Sequence, residues 1–420
     1  MPCFVINGGF PLHGEVQVQG AKNAVLPIMA ASILNCGITV LTHVPRITDV
    51  ADMKEILEYL GCRVDWYGDV LVIDAKCLDS CEIPGYLGQK MRSSIMLLGA
   101  LLGRTGEAAT YHPGGCSIGA RPVDLHCRVL EALGAEMNVE DGRIFARAKR
   151  LRGGEIYLPF PSVGATENAV LAAVCAEGVS VIRGCAREPE IVQLCIFLNQ
   201  MGAEIAGIGT GRLIISGRSC LHDTCYCVEG DRIAAATYLY AAAACTGKVT
   251  VNGVCPEYLI SPLKALEKMG CCVETSRCAV RVGLTGRLKP LREVRTEVYP
   301  GFPTDLQSPM LTLMSLAEGK SVMQEDIFEG RFRTAQELVK MGADIVIEGN
   351  RAVVAGRGGL QGCEVTARDL RCGAALVIAG LAAEGTTVVS DCHHILRGYE
   401  DLPGQFRLLG GQIEEEIQET

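Results

Sequence analysis

The sequence predicts an α/β protein of two inside-out α/β barrel domains. Each domain holds three βαβαββ units, with apolar helices inside and sheets outside. Two observations predict this: an internal repeat that fills the chain, and the unusual composition of one helix in every copy. The repeat is a helix end, a glycine, a small residue and a β-rich run: LEYLGCRV, LEALGAEM, LNQMGAEI, LEKMGCCV, LVKMGADI and FRLLGGQI. Its glycines are Gly61, Gly134, Gly202, Gly270, Gly342 and Gly410, which lie 68 to 73 residues apart. Glycine after a helix is the common left-handed stop, so each copy marks a helix ending and a strand beginning.

A second phrase runs in register with the first: AEGVSVI, AEGKSVM and AEGTTVV, each after a run of small apolar residues. One unit therefore reads strand, loop, apolar helix, turn, strand, loop, amphipathic helix, glycine, strand, turn, strand. The first helices, NAVLPIMAASIL, MRSSIMLLGALL, NAVLAAVCA, AAATYLYAAAAC, PMLTLMSL and CGAALVIAGLA, are apolar nearly all round. Such helices are buried on every side. A doubly wound sheet places its helices outside; here they belong within, under half-exposed sheets.

The last copy ends one strand short, at IEEEI, and the closing EEEIQET reads as a solvated tail. The segment FVINGGFPLHGEVQVQGAKNA resembles VVAGRGGLQGCEVTARDLRCG of the last copies, so the N-terminus supplies the missing strand. The expected domains are residues 22–229, and 1–21 together with 230–420. The expected active site is a cleft between them.

The bulk numbers narrow the function. The formal charge of −9 argues against nucleic-acid or anionic-membrane partners, though local basic clusters can still hold phosphates. MPCFVINGGF has no basic, apolar leader pattern, and the apolar run 234–245 is too short to span a bilayer. A cytoplasmic location is expected. An odd count of 21 scattered cysteines points to reduced thiols. The densest group, CLHDTCYC at 220–227, matches no common zinc spacing and is read as ordinary turn and strand cysteines. No metal or cofactor is expected.

Charged and polar residues break the pattern at the entrances of the apolar helices: Lys22 and Asn23, Arg92, Ser162 to Gly164, Asp231 and Arg232, Thr304 and Asp305, Asp369 and Arg371. Ser162, Asp231 and Asp369 read equally well as helix caps. Lysine and arginine do not cap and are unfavourable there. Beside an exposed helix N-terminus they make an anion site. Lys22, Arg92, Arg121, Arg371 and Arg397 together suit more than one anionic group. The glycine-rich loop 112–122 carries Cys116 and Arg121, as suits a lid that moves. A guanidinium favours the thiolate; the alternative is a cysteine at a tolerant surface position.

Several motifs in order along the whole chain resemble the UDP-N-acetylglucosamine 1-carboxyvinyltransferase family of enolpyruvyl transferases. They are QGAKNA, KMRSSI, PGGCSIGARPVDLH, PSVGATENA, AREPEIV, FPTDLQ, IFEGRF and RGYED. The resemblance implies transfer of the enolpyruvyl group of phosphoenolpyruvate to the 3′-hydroxyl of UDP-N-acetylglucosamine, the first committed step of peptidoglycan synthesis. It implies that Cys116 is the lid's proton donor and Asp305 the favoured base. It implies that Lys22, Arg121 and Arg397 hold phosphate, and that Arg331 and Arg371 handle the carboxylate end or the closed cleft. Asn23, Arg92, Arg121, Pro122, Val123, Asp124, Leu125, Ser162, Val163, Gly164 and Ile327 match UDP-sugar contacts. Thr48 and Phe160 stand where relatives often carry lysine; Arg46 is near the first. The resemblance further implies alkylation of Cys116 by an epoxide phosphonate such as fosfomycin. Two rivals stay open: the sister enzyme that uses 3-phosphoshikimate as acceptor, and a UDP-sugar-binding paralogue without turnover. The sequence does not specify the oligomeric state, and a monomer is compatible with it.

Overall fold

The computed structural model describes residues 2–114, 119 and 122–417. The chain divides into two compact units, with boundaries at Gln19/Gly20 and at Glu229/Gly230. Each unit is described by itself.

The repeat glycines do what their position requires. Gly61, Gly134, Gly202, Gly270, Gly342 and Gly410 all lie in the left-handed region, at φ between 89° and 100°. Each follows a helix by two residues, as Gly61 follows Thr48–Tyr59 and Gly342 follows Arg333–Lys340. A side chain at such a φ is strained, whereas glycine turns the chain into the next strand at no steric cost.

The apolar helices are the cores. Lys22–Ser32, Leu97–Thr105 and Val163–Ala173 fill the first unit, and Arg232–Ala244, Gln307–Leu316 and Leu370–Ala382 fill the second. In Leu370–Ala382 every residue but Ala382 is buried. Burial on all sides matches a composition with no polar face. In the second and fifth copies the entry is a 3-10 turn, Arg92–Met96 and Thr304–Leu306, rather than a continuous helix. This departs from the regular repeat and presents Arg92 and Asp305 on turns.

The sheets lie around these helices. In the first unit, Thr224–Cys227 runs parallel to Ile38–Thr42, which pairs antiparallel with Val70–Asp74 and through it with Arg63–Tyr67. A second four-stranded sheet combines Glu155–Tyr157, Val179–Arg183, Arg212–Ser216 and Glu204–Ala206, and a three-stranded one combines Glu107–Tyr111, Arg143–Arg147 and Glu136–Glu140. The second unit has three four-stranded sheets. One places Pro2–Asn7 between Thr386–Ser390 and Gln412–Ile417, with Ile6 opposite Thr387 and Ile413. The N-terminal strand thus fills the last place of the final copy.

Two strands are exchanged in the repeat order. His13–Gln17 precedes the helix Lys22–Ser32 of the first unit, yet it pairs in parallel with Lys248–Asn252 of the second. Thr224–Cys227 precedes Arg232–Ala244 of the second unit, yet it joins the Ile38–Thr42 sheet of the first. No helix among the described residues is long and apolar enough to cross a membrane.

Candidate active site

In the second unit the sequence-predicted residues Asp305, Arg331 and Arg371 meet. Arg331 Nη2 donates to Asp305 Oδ1 at 2.6 Å, and Arg371 Nη2 donates to Oδ2 at 2.9 Å. Both arginines are buried, at 5% and 6% exposure, where unpaired charge is costly. Burial alone would raise the Asp305 carboxyl, but the charges of Arg371 and Arg331, aided by Arg232, overcome it and hold it well below the usual carboxylate range. Asp305 is therefore an anion whenever both guanidiniums face it.

The helix starts explain how the cations are presented. Asp369 Oδ1 accepts from the backbone N–H of Arg371 at 2.8 Å and of Cys372 at 2.9 Å. Asp231 Oδ1 accepts from Ile233 N–H at 2.8 Å and Ala234 N–H at 3.0 Å. These two aspartates act as caps, the first of the two readings open to them in the sequence. Ser162 occupies the same position before Val163–Ala173 without a side-chain cap bond.

Arg397 ends the short 3-10 turn Cys392–Arg397. The segment after it is fastened by Gln19, whose Nε2 donates to the Gly398 carbonyl at 3.0 Å while its Oε1 accepts from Glu400 N–H at 2.9 Å. The first motif, QGAKNA, thereby grips the last, RGYED. Tyr399 is fully buried, and its hydroxyl lies 2.8 Å from Thr237 Oγ1.

Glu325 ties two parts of the site together. It is 3% exposed, and its Oε1 accepts from Ile327 N–H at 2.8 Å and Phe328 N–H at 3.0 Å. Its Oε2 accepts from Thr304 Oγ1 at 3.0 Å. One buried carboxylate thus holds both the turn carrying Asp305 and the loop carrying Ile327.

In the first unit, Lys22 opens the helix Lys22–Ser32 and its Nζ lies 2.6 Å from Asp49 Oδ2. Both side chains are nearly buried, at 11% and 3% exposure, so the ammonium is fixed by its partner. Asn23 beside it is half-buried. Arg92 Nη2 donates to the Pro122 carbonyl at 3.3 Å, bringing two candidate contacts together. Val123 is buried, Asp124 is exposed and Leu125 is half-buried at the start of Asp124–Ala132. Ser162, Val163 and Gly164 are half-buried at the start of Val163–Ala173, an eleven-residue helix whose free N–H groups suit an anion.

Cys116 and Arg121 lie outside the described residues. Thr48 is exposed at a helix start, and Arg46 is engaged elsewhere: its Nε donates to the Gly68 carbonyl at 2.8 Å and its guanidinium lies 5.3 Å from the Trp66 ring centre. Phe160 is 47% exposed. Within CLHDTCYC, Asp223 Oδ1 accepts from Asn35 Nδ2 at 2.8 Å and Ile38 N–H at 2.7 Å, a structural use that fastens the start of a strand.

A family model described as EPSP synthase (3-phosphoshikimate 1-carboxyvinyltransferase) matches residues 6–406. The chain belongs to this enolpyruvyl transferase family. Within the family it is 49% identical, over 98% of its length and 99% of the relative's, to a Caldanaerobacter subterraneus protein named UDP-N-acetylglucosamine 1-carboxyvinyltransferase 2. A Symbiobacterium thermophilum protein named UDP-N-acetylglucosamine 1-carboxyvinyltransferase 1 is also 49% identical, over 98% of this chain and 94% of the relative. Among solved structures, the enolpyruvyl transferase NikO from Streptomyces tendae matches with a TM-score of 0.88 at 26% identity, covering 99% of this chain and 98% of its own.

Sequence reasoning about this enolpyruvyl transferase misses Asp49, Gln19, Glu325 and the Asn168 amide described below. Asp49 looks like an ordinary acid in a helix's first turn, and Gln19 meets a partner 379 residues away. The one available signal is that Gln19, Glu325 and Asn168 fall inside or beside recognised motifs.

Proposed function

We infer that the chain transfers the enolpyruvyl group of phosphoenolpyruvate to the 3′-hydroxyl of UDP-N-acetylglucosamine and releases phosphate. The reaction is the first committed step of peptidoglycan synthesis, and a cytoplasmic location fits it. The observation that carries this reading is 49% identity, over 98% of the chain, to proteins bearing that activity's name. The acceptor oxygen adds to C2 of phosphoenolpyruvate as a proton is delivered to C3. The resulting tetrahedral ketal then breaks its C2–O bond to phosphate, loses a proton from C3 and regains the double bond.

The proposed roles follow from charge and position. Cys116 delivers the proton to C3, and Asp305 takes the hydroxyl proton. Lys22, Arg121 and Arg397 hold the phosphate, whose charge grows as the bond breaks. Arg331 and Arg371 receive the substrate carboxylate. An arriving carboxylate shares those guanidiniums with Asp305, so its basicity rises when the substrate is in place. Asn23, Arg92, Pro122 to Leu125, Ser162 to Gly164 and Ile327 contact the UDP-sugar. The reading is tested by mass spectrometry of the product: UDP-N-acetylglucosamine gains one enolpyruvyl unit, and its 3′-deoxy analogue gains none. A modified 3′-deoxy analogue, or an unmodified natural acceptor, overturns it.

A further inference from the structure

His126 closes the motif PGGCSIGARPVDLH and is 5% exposed. A histidine among phosphate-site residues invites the reading of a cation. Its surroundings dictate otherwise, through the fully buried amide of Asn168. Gly99 N–H donates to Asn168 Oδ1 at 2.7 Å, and Asn168 Nδ2 donates to the Ile95 carbonyl at 2.9 Å. A backbone N–H can only donate and a carbonyl can only accept, so these two bonds fix which end of the amide is oxygen. The second hydrogen on Nδ2 points at His126 Nδ1, 2.7 Å away, and that nitrogen accepts it. An imidazole that accepts at Nδ1 is neutral and carries its proton on Nε2.

The Nε2 edge faces the start of the helix Val163–Ala173. A Cβ added to Gly164 would meet His126 Cε1 at 2.9 Å and Nε2 at 3.2 Å, with Glu167 Oε2 at 4.0 Å. The imidazole occupies the side-chain space of Gly164, which is why that residue has none. Among the described residues near that Cβ, Glu167 is a second titratable group. Burial, then Glu190 and Glu188, push its carboxyl up to about 8, so near neutral pH it offers an imidazolium no counter-charge.

We propose that His126 is a positioning residue, locked as the neutral Nε2–H tautomer by Asn168, which sets the Ser162–Val163–Gly164 backbone against the diphosphate of the UDP-sugar without lending it charge. The diphosphate half of this statement rests on the function inferred above; the tautomer half rests on hydrogen bonding alone. The whole arrangement descends from two backbone groups, the Ile95 carbonyl in the 3-10 turn Arg92–Met96 and Gly99 N–H in the buried helix Leu97–Thr105 that follows it. It joins two separate substrate-contact segments, Pro122–Leu125 and Ser162–Gly164, through one ring.

Two measurements on the full chain test it. Long-range proton–nitrogen correlation on ¹⁵N-histidine-labelled protein, with His126→Gln to assign the signal among seven histidines, should show the Nε2–H tautomer from about pH 6 to 8. An imidazolium or an Nδ1–H ring in that range overturns the proposal, whatever the substrate. Calorimetry then follows UDP-N-acetylglucosamine binding. His126→Ala should weaken it about tenfold, and His126→Gln, which can accept from Asn168 and donate toward Gly164, should restore most of it. Restoration by His126→Lys instead of His126→Gln would show that charge is what the site needs, and would overturn the proposal. A wild-type chain with the expected tautomer but no affinity for UDP-N-acetylglucosamine would refute the diphosphate role together with the inferred function, and leave the tautomer standing.

Discussion

Arg371 and Asp305 form a buried charge pair, Nη2 to Oδ2 at 2.9 Å, and Arg331 completes a clamp on the other carboxylate oxygen at 2.6 Å. The clamp keeps Asp305 ionised in the free protein. Its sign is definite: a carboxyl held low is charged above its folded-state value and protonated only below it. Arg331→Gln removes one cation, so the Asp305 carboxyl rises. The acid limb of kcat/KM, which reports the free enzyme, should move to higher pH. An unmoved acid limb in a folded variant contradicts the role of Asp305 as base.

Lys22 depends on Asp49 in the same way. Asp49→Ala leaves a nearly buried ammonium without its carboxylate, and should cost about 3–5 kcal/mol of stability. Asp49→Asn keeps a hydrogen-bond acceptor and should fold, with kcat/KM for phosphoenolpyruvate lowered about tenfold or more as the ammonium loses its fixed position. Thermal unfolding and initial rates measured together separate the two effects.

Glu325 has two arms, and they can be cut separately. Thr304→Val removes the arm to the Asp305 turn, and should lower kcat about tenfold with little change in the KM for the UDP-sugar. Glu325→Ala cuts both arms and should also raise that KM. Adding Thr304→Val to Glu325→Ala should then cost nothing further, because the shared bond is already gone. Simple additivity of the two changes would show that Glu325 does not act through Thr304.

Glu167 makes a prediction about stability. Its folded-state value of about 8 lies above the usual 4.5. The unfolded chain therefore releases this proton first. The destabilisation is absent below about pH 4.5, grows as pH rises, and levels off above about pH 8. Glu167→Gln should flatten the fall of the melting temperature across that window and melt higher than the wild type at its alkaline end. Parallel curves for the two proteins would contradict a protonated Glu167.

Cys116 carries the one covalent prediction. Treatment with fosfomycin followed by peptide mapping should find the adduct on Cys116, and phosphoenolpyruvate should protect it. Modification confined to other cysteines would remove Cys116 from the mechanism.

The fold was legible wherever one residue's backbone decides the local outcome. The repeat glycines are read directly because only glycine takes φ near 90° cheaply. The buried helices are read from their lack of a polar face, and the displaced strand Pro2–Asn7 from a copy that ends one strand short. Which strands His13–Gln17 and Thr224–Cys227 pair with was not legible, because pairing with strands so distant in the chain leaves no local mark. The charged residues of the site stood out as violations of an apolar pattern. Their partners did not: Asp49, Gln19, Glu325 and Asn168 are common residue types, and each takes part of its role from a group well separated along the sequence. Asp231 and Asp369 show the limit from the other side, since a cap and a site residue look alike until the N–H donors are found.

Phosphate release from phosphoenolpyruvate, followed with each of two acceptors, tests the central claim most directly. Turnover that requires UDP-N-acetylglucosamine and is absent with 3-phosphoshikimate is the predicted result. Release with 3-phosphoshikimate alone, or with neither acceptor, would contradict it.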